Sequence, residues 1–201
     1  MIRSLVLLLV ASLSLSPAVA QAPAADLVAD PRVALDTGAG RIVVAVHVTK
    51  APITARNFLR YVDQKRFDGT AFYRGVGASD YGFVQGGAQN DPKRILPPIA
   101  HEPTSQTGLT HDQGALSMAR YAPGSATGDF FIVLGKMPGM DAHPEAAGDN
   151  QGFAVFAHVV EGMDVVQSIL AAPKSPTAGE GVMKGQMFEQ PVKILTARRM
   201  P

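Results

Sequence analysis

The sequence predicts a mainly β protein, a closed antiparallel barrel with a helix over each open end. Three observations predict it. Short apolar runs separated by Gly, Pro and Asp clusters recur between Phe67 and Leu134, the spacing of an all-β barrel or sandwich. Only two segments carry a helical period. The 201 residues contain no cysteine, so the fold rests on one buried core rather than on disulfides.

The elements follow in order. Arg32 to Asp36 and Arg41 to Val48 are β-rich and flank Thr37-Gly38-Ala39-Gly40, which reads as a hairpin. In Ile53 to Gln64 the apolar residues Ala55, Phe58, Leu59 and Val62 fall on one helical face. Pro52 stands near the first turn, where a missing N–H costs nothing. Strand cores then fall at Ala71 to Tyr73, Phe83 to Gln85, Ala115 to Met118 and Phe130 to Leu134. Asp91 to Gly114 and Gly135 to Gln151 are long polar loops of the kind that carry function. Phe153 to Val160 is a further strand. Gly162 to Leu170 is a second helix with Met163, Val166, Ile169 and Leu170 on one face. Pro173 to Gly185 reads as loop, and Pro191 to Ala197 as the last strand.

The N-terminus has the three parts of an export signal. Arg3 is positive, Leu5 to Leu15 is apolar apart from two serines, and Ala18-Val19-Ala20 offers small residues for cleavage before Gln21. The apolar run is shorter than the ~20 residues that span a bilayer, which favours cleavage over an anchor. The expected organisation is a signal peptide over 1–20, a linker over 21–30 and a single domain over 31–201, located outside the cytoplasm and most simply in a bacterial periplasm. No membrane association is expected after cleavage. Removing Arg3 leaves 17 basic and 17 acidic residues from the original 18 and 17. A neutral chain argues against nucleic acid or anionic lipid as partner, because both require a basic surplus.

Five motifs stand in a fixed order. They are Ala51-Pro52-Ile53-Thr54-Ala55-Arg56-Asn57-Phe58, Phe67-Asp68-Gly69-Thr70-Ala71-Phe72-Tyr73-Arg74 and Gln85-Gly86-Gly87. Gly114 to Arg120 with Phe130-Phe131-Ile132 is the fourth, and Val155-Phe156-Ala157 with Val160-Glu161-Gly162-Met163 is the fifth. In this order they resemble the cyclophilins. The resemblance implies an eight-stranded antiparallel barrel capped by two α-helices, and cis-trans isomerisation of Xaa-Pro bonds as the reaction. It also implies a monomer that needs neither cofactor nor metal and takes Xaa-Pro segments of unfolded or flexible proteins as partners.

That reaction has a definite physical requirement. The imide C–N bond has partial double-bond character and a barrier of ~18–20 kcal/mol. No bond breaks, so the enzyme need only bind the twisted state better than the planar ones. Twisting leaves a lone pair on the prolyl nitrogen, and a permanently charged donor aimed there assists that state. By motif position the donor is Arg74. Gln85 either orients Arg74 or bonds the substrate carbonyl. Phe131 forms the floor of the proline pocket, and Phe83, Met118, Ala119, Met140 and Phe153 line it. Phe130 and Phe131 alternate across a strand, so one faces the core and the other the pocket.

Several positions depart from the family pattern. Arg74 and Gln85 stand three residues further apart than in familiar members, the extra residues lying in Gly75 to Asp80. Gly82 occupies the place of an aromatic, leaving Tyr81 or Phe83 to supply that wall. Gly139 replaces the rim tryptophan, with Met140 beside it, and Phe153 replaces a rim histidine. Asp129 stands where glutamine is usual. Paired with Arg74 it would disable the donor and leave a non-catalytic binding module, the competing reading. Other constellations are weaker. The five histidines show no metal-ligand spacing. Ser117 lacks a nucleophile-elbow context. His101-Glu102 reads as a solvated hairpin rather than a catalytic dyad.

Overall fold

The computed structural model describes residues 30–78 and 80–201. The expected export signal, and the linker as far as residue 29, lie outside them. Eight strands, β1 (Arg32–Thr37), β2 (Gly40–Val46), β3 (Ala71–Ala78), β4 (Tyr81–Gly87), β5 (Ala115–Met118), β6 (Asp129–Leu134), β7 (Ala154–Glu161) and β8 (Met187–Arg199), close into one barrel. Their order around it is β1-β2-β7-β5-β6-β4-β3-β8, and every pairing is antiparallel. Helix α1 spans Pro52–Asp63 and helix α3 spans Met163–Leu170, with a single-turn α2 at Thr104–Thr107 in the first long loop. No helix among the described residues is long and apolar enough to cross a membrane.

Alternation along the strands fills the barrel. Phe72, Phe130 and Phe156 point inward, where Phe58 of α1 and Phe67 meet them. Phe58 lies 5.7 Å from Phe130 and 5.0 Å from Phe156, ring centroid to centroid. Such tilted and edge-on pairs add to the burial of large apolar area. The interior is therefore a packed core rather than a ligand cavity. The face predicted for α1 is buried at Ala55, Phe58, Leu59 and Val62, and that predicted for α3 at Val166, Ile169 and Leu170, with Met163 only partly buried beside them.

Helix α1 begins at Ala51 without a side-chain cap or an acid in its first turn. Its cap comes from elsewhere. Glu102 accepts hydrogen bonds from Ile53 N at 3.0 Å, Thr54 N at 2.7 Å and the Thr54 hydroxyl at 2.6 Å. The expectation of a solvated His101-Glu102 hairpin is thus corrected for Glu102, which is only 1% exposed. A carboxylate can be buried here because it meets three donors and the positive end of a helix.

Two strands run longer than the sequence suggests. β3 continues to Ala78 and pairs with β4 down to Ala78↔Tyr81, so the extra residues prolong one hairpin. Gly77 and Gly82 face each other there. A side chain at Gly82 would meet Val76 O at 1.9 Å, which explains why glycine replaces an aromatic. β8 begins at Met187 despite Pro191, because the ladder to β3 jumps from Phe72↔Val192 to Arg74↔Met187 and the proline falls in the unpaired stretch.

Candidate active site

The face of the barrel opposite the interior carries a second apolar cluster of Phe83, Ala115, Phe131, Val133 and Val155, against which Met140 and Phe153 pack. Phe130 is interior and Phe131 is on this outer cluster, the division expected of neighbours on a strand. Above the cluster lies a groove of about 290 Å³, at the small end of binding cavities and suited to a short peptide segment. Arg74, Phe83, Gln85, Ala119, Phe131, Met140 and Phe153 line it.

Met118 does not line the groove. It points into the barrel, 2% exposed, in the core that also holds Phe130 and Phe72. Its cross-strand partner is Phe130, whereas Ser117 is paired with Phe131. The outward residues are therefore Ser117 and Ala119, and the expectation for Met118 is corrected by one position.

Tyr73 and Arg74 are consecutive yet both reach the groove. A regular strand forbids this. The ladders to β4 and β8 both skip a residue between Phe72 and Arg74, so Tyr73 occupies a β-bulge, which re-aims the side chains beside it. The guanidinium of Arg74 then lies over the Phe83 ring, 5.3 Å from its centroid. Phe83 is thus the aromatic wall, while Tyr81 is exposed at the hairpin end. Phe83 in turn packs 5.3 Å from Phe131.

Two amides hold the arginine. Its Nη1 donates to Gln85 Oε1 at 2.8 Å, and its Nε and Nη2 donate to Gln186 Oε1 at 2.9 and 2.6 Å. Gln85 Nε2 donates to the Tyr73 hydroxyl at 2.7 Å. Burial pushes the Tyr73 phenol up, so it remains neutral. Burial also lowers Arg74 from its ordinary value. Asp129 does not pair with it. Its carboxylate instead accepts from Gln89 N at 2.8 Å, and burial pushes that carboxyl up. The observation on which a disabled arginine depended is therefore absent among the described residues.

Behind the floor, the His111 ring stacks on Phe131 at 5.9 Å between centroids and 11° between planes. His111 Nδ1 donates to Asp141 Oδ1 at 2.6 Å, and Nε2 lies 3.0 Å from Ser117 Oγ. The connectivity is that of a serine hydrolase, but Ser117 is completely buried and presents no nucleophile to the groove. Burial is the largest influence on His111 and lowers its affinity for a second proton, against the opposing pull of Asp141. The chain ties Met140, next to Asp141, to β5. On the other side Phe153 meets Phe131 edge-on at 5.5 Å, and Arg120 lies over it at 5.2 Å. Arg120 itself is fixed on Gly152 O and Asp149. Gly139 has nothing within 4 Å of the position a side chain would take, so the rim is open there.

The sequence reading missed Tyr73 as a partner of Gln85, and it missed Gln186 and Met183 altogether. Met183 lines the groove from a single turn at Gly181–Met183 inside the segment expected to be plain loop. No motif marks these residues, and Gln186 meets Arg74 across 112 positions of chain.

What the groove offers is an aromatic floor, a small volume and two guanidinium groups, of which Arg120 is taken up by Gly152 O and Asp149 while Arg74 is held only by neutral amides. Among the described residues no group of His, Asp and Glu is placed to hold a metal ion. Three kinds of likeness bear on this arrangement. The family model described as cyclophilin type peptidyl-prolyl cis-trans isomerase/CLD matches residues 32–199. A peptidyl-prolyl cis-trans isomerase of Acinetobacter baylyi is 35% identical over 87% of this chain and 88% of its own length. Peptidyl-prolyl cis-trans isomerase B of Escherichia coli is 37% identical over 68% of this chain and 82% of its own. A crystal structure of a Cryptosporidium parvum cyclophilin type isomerase in the presence of the dipeptide Ala-Pro superposes with a TM-score of 0.68. It covers 85% of this chain and 99% of that one at 17% identity, a likeness of fold.

Proposed function

The chain belongs to the cyclophilin-type peptidyl-prolyl cis-trans isomerase family and is such an isomerase, and we propose that it acts on exported proteins with Arg74 as its catalytic donor. The observation that carries the proposal for Arg74 is the way it is held. Three of its five N–H groups are engaged by amide oxygens, leaving one on each terminal nitrogen for the substrate. The proline ring lies on Phe131, and the prolyl nitrogen faces the arginine. In the planar imide that nitrogen's electrons are delocalised and a donor gains little. At the twisted state they form a lone pair, and the interaction strengthens. Gln85 positions the arginine, since its oxygen is already bonded to it. Export is supported by Arg3, the apolar run Leu5 to Leu15 and Ala18-Val19-Ala20.

One preparation tests both parts. The full-length chain is expressed in a bacterial host, recovered from the periplasmic fraction, weighed and assayed by NMR exchange on an Ala-Pro-Phe peptide. The expected mass begins at Gln21, and wild type accelerates exchange while Arg74→Ala loses about 100-fold in kcat/KM, the range for removing one transition-state donor. Full activity in Arg74→Ala would refute the arginine's role. Retention of residues 1–20 in the cytoplasm would refute export.

A further inference from the structure

We propose that Gln186 is a second positioning residue for Arg74, setting the guanidinium plane that Gln85 alone leaves free to turn, and that its neutral amide keeps the arginine's charge free for the prolyl nitrogen. The inference rests on Arg74 being the catalytic donor.

Orientation comes first. Gln85 grips one terminal nitrogen, a single point about which a planar guanidinium can still turn. Gln186 accepts from both Nε and Nη2 on one oxygen, which fixes the plane and the edge presented to the groove. The side chain that does this is itself anchored. Gln186 N donates to Met183 O at 3.0 Å, and Gln186 O accepts from the N–H of Gly75, the residue after Arg74, at 2.9 Å. The next residue, Met187, is the ladder partner of Arg74. The turn that brings Gln186 in also brings Met183 to the groove wall, so one short segment builds both features.

Charge is the second point. The edge of an arginine bearing Nε and Nη2 is the one that binds carboxylates in a two-bonded fork. Here that edge meets an amide instead. Both acceptors on Arg74 are neutral, and the nearest acid on the groove, Asp129, is occupied by Gln89 N. A glutamate at 186 fits the same space and offers the same two bonds, but it neutralises the donor and makes the pair too well satisfied to turn toward a weak lone pair. The position therefore combines an acceptor's geometry with the absence of a counter-charge.

The experiment compares wild type, Arg74→Ala, Gln186→Leu and Gln186→Glu by NMR exchange on the same peptide, with the Arg74 Nε–H resonance as a second readout. Gln186→Leu is expected to lose about tenfold in kcat with KM within twofold, the pattern of an interaction made in the transition state, and to lose the slowly exchanging Nε–H signal. Gln186→Glu is expected to keep that signal and still lose at least tenfold in kcat. Wild-type kcat in Gln186→Leu, or a loss confined to KM, overturns the positioning role. Wild-type kcat in Gln186→Glu overturns the role of the neutral amide. Activity retained by Arg74→Ala overturns this inference together with the reading of Arg74, whereas an inactive Arg74→Ala beside a fully active Gln186→Leu overturns this inference alone.

Discussion

Replacing Glu102 by glutamine should destabilise the domain by about 3 kcal/mol, although the residue does not line the groove and the substitution keeps its shape. The carboxylate receives Ile53 N on one oxygen and both Thr54 N and the Thr54 hydroxyl on the other. An amide has one acceptor oxygen. Placed toward Thr54 it keeps two bonds, and its NH₂ then confronts the Ile53 N–H, so one bond is lost and a donor is left without partner. A hydrogen bond to a charged group is worth about 1.5–3 kcal/mol. The two retained bonds weaken because charge assistance is gone. The end of α1 also loses its anion, a further ~0.3–1 kcal/mol. Domains of this size lose roughly 2–4 °C per kcal/mol. The expected fall in thermal midpoint, read by circular dichroism, is therefore about 6–12 °C. Thr54→Val removes one donor while leaving the charge in place, and should cost about 1 kcal/mol. A fall of less than ~2 °C for Glu102→Gln would show that water or a shifted loop replaces the carboxylate, and the argument for a tertiary cap would fail.

Two further outcomes follow from buried acids and bases. His111 binds a second proton less readily folded than unfolded, so below pH 6.5 the unfolded chain takes up a proton that the folded one resists. Stability should fall with acidity through that window, at up to ~1.4 kcal/mol per pH unit for this group. His158, lowered chiefly by burial and then by His47, adds to the same trend. His111→Gln, followed by urea titration from pH 7.5 to 5, should flatten the dependence, and an unchanged slope would refute the assignment. Asp129→Asn should leave kcat within twofold of wild type, because Arg74 is not bonded to that carboxylate and asparagine retains the acceptor for Gln89 N. A large gain in peptide exchange would mean that Asp129 restrains the arginine after all.

What the sequence made legible was local, or else carried by the order of motifs. The helical period of α1 is a property of twelve consecutive residues, and its buried face needed no knowledge of the partner. The split between Phe130 and Phe131 follows from alternation alone. The same rule forbids Met118 and Ala119 from sharing a face, and motif position outweighed it wrongly for Met118. At Tyr73 the rule fails in the other direction, since a bulge lets neighbours share a face and nothing in Phe72-Tyr73-Arg74 encodes the skipped ladder partner. The support of the site was illegible for a different reason. Glu102 caps a helix 48 and 49 positions away, and Gln186 reaches Arg74 across 112. Each is an ordinary polar residue whose role exists only once the barrel has closed.

That closure bears on how such an enzyme meets its clients. Unfolded chains seek free strand edges, and a sheet that offers one recruits them by backbone pairing, often irreversibly. Here β8 returns to β1 and each of the eight strands has neighbours on both sides. On the function proposed above, capture of an Xaa-Pro segment falls instead to the groove over Phe131. A barrel whose eight strands are all paired on both sides offers a released peptide no backbone ladder to join.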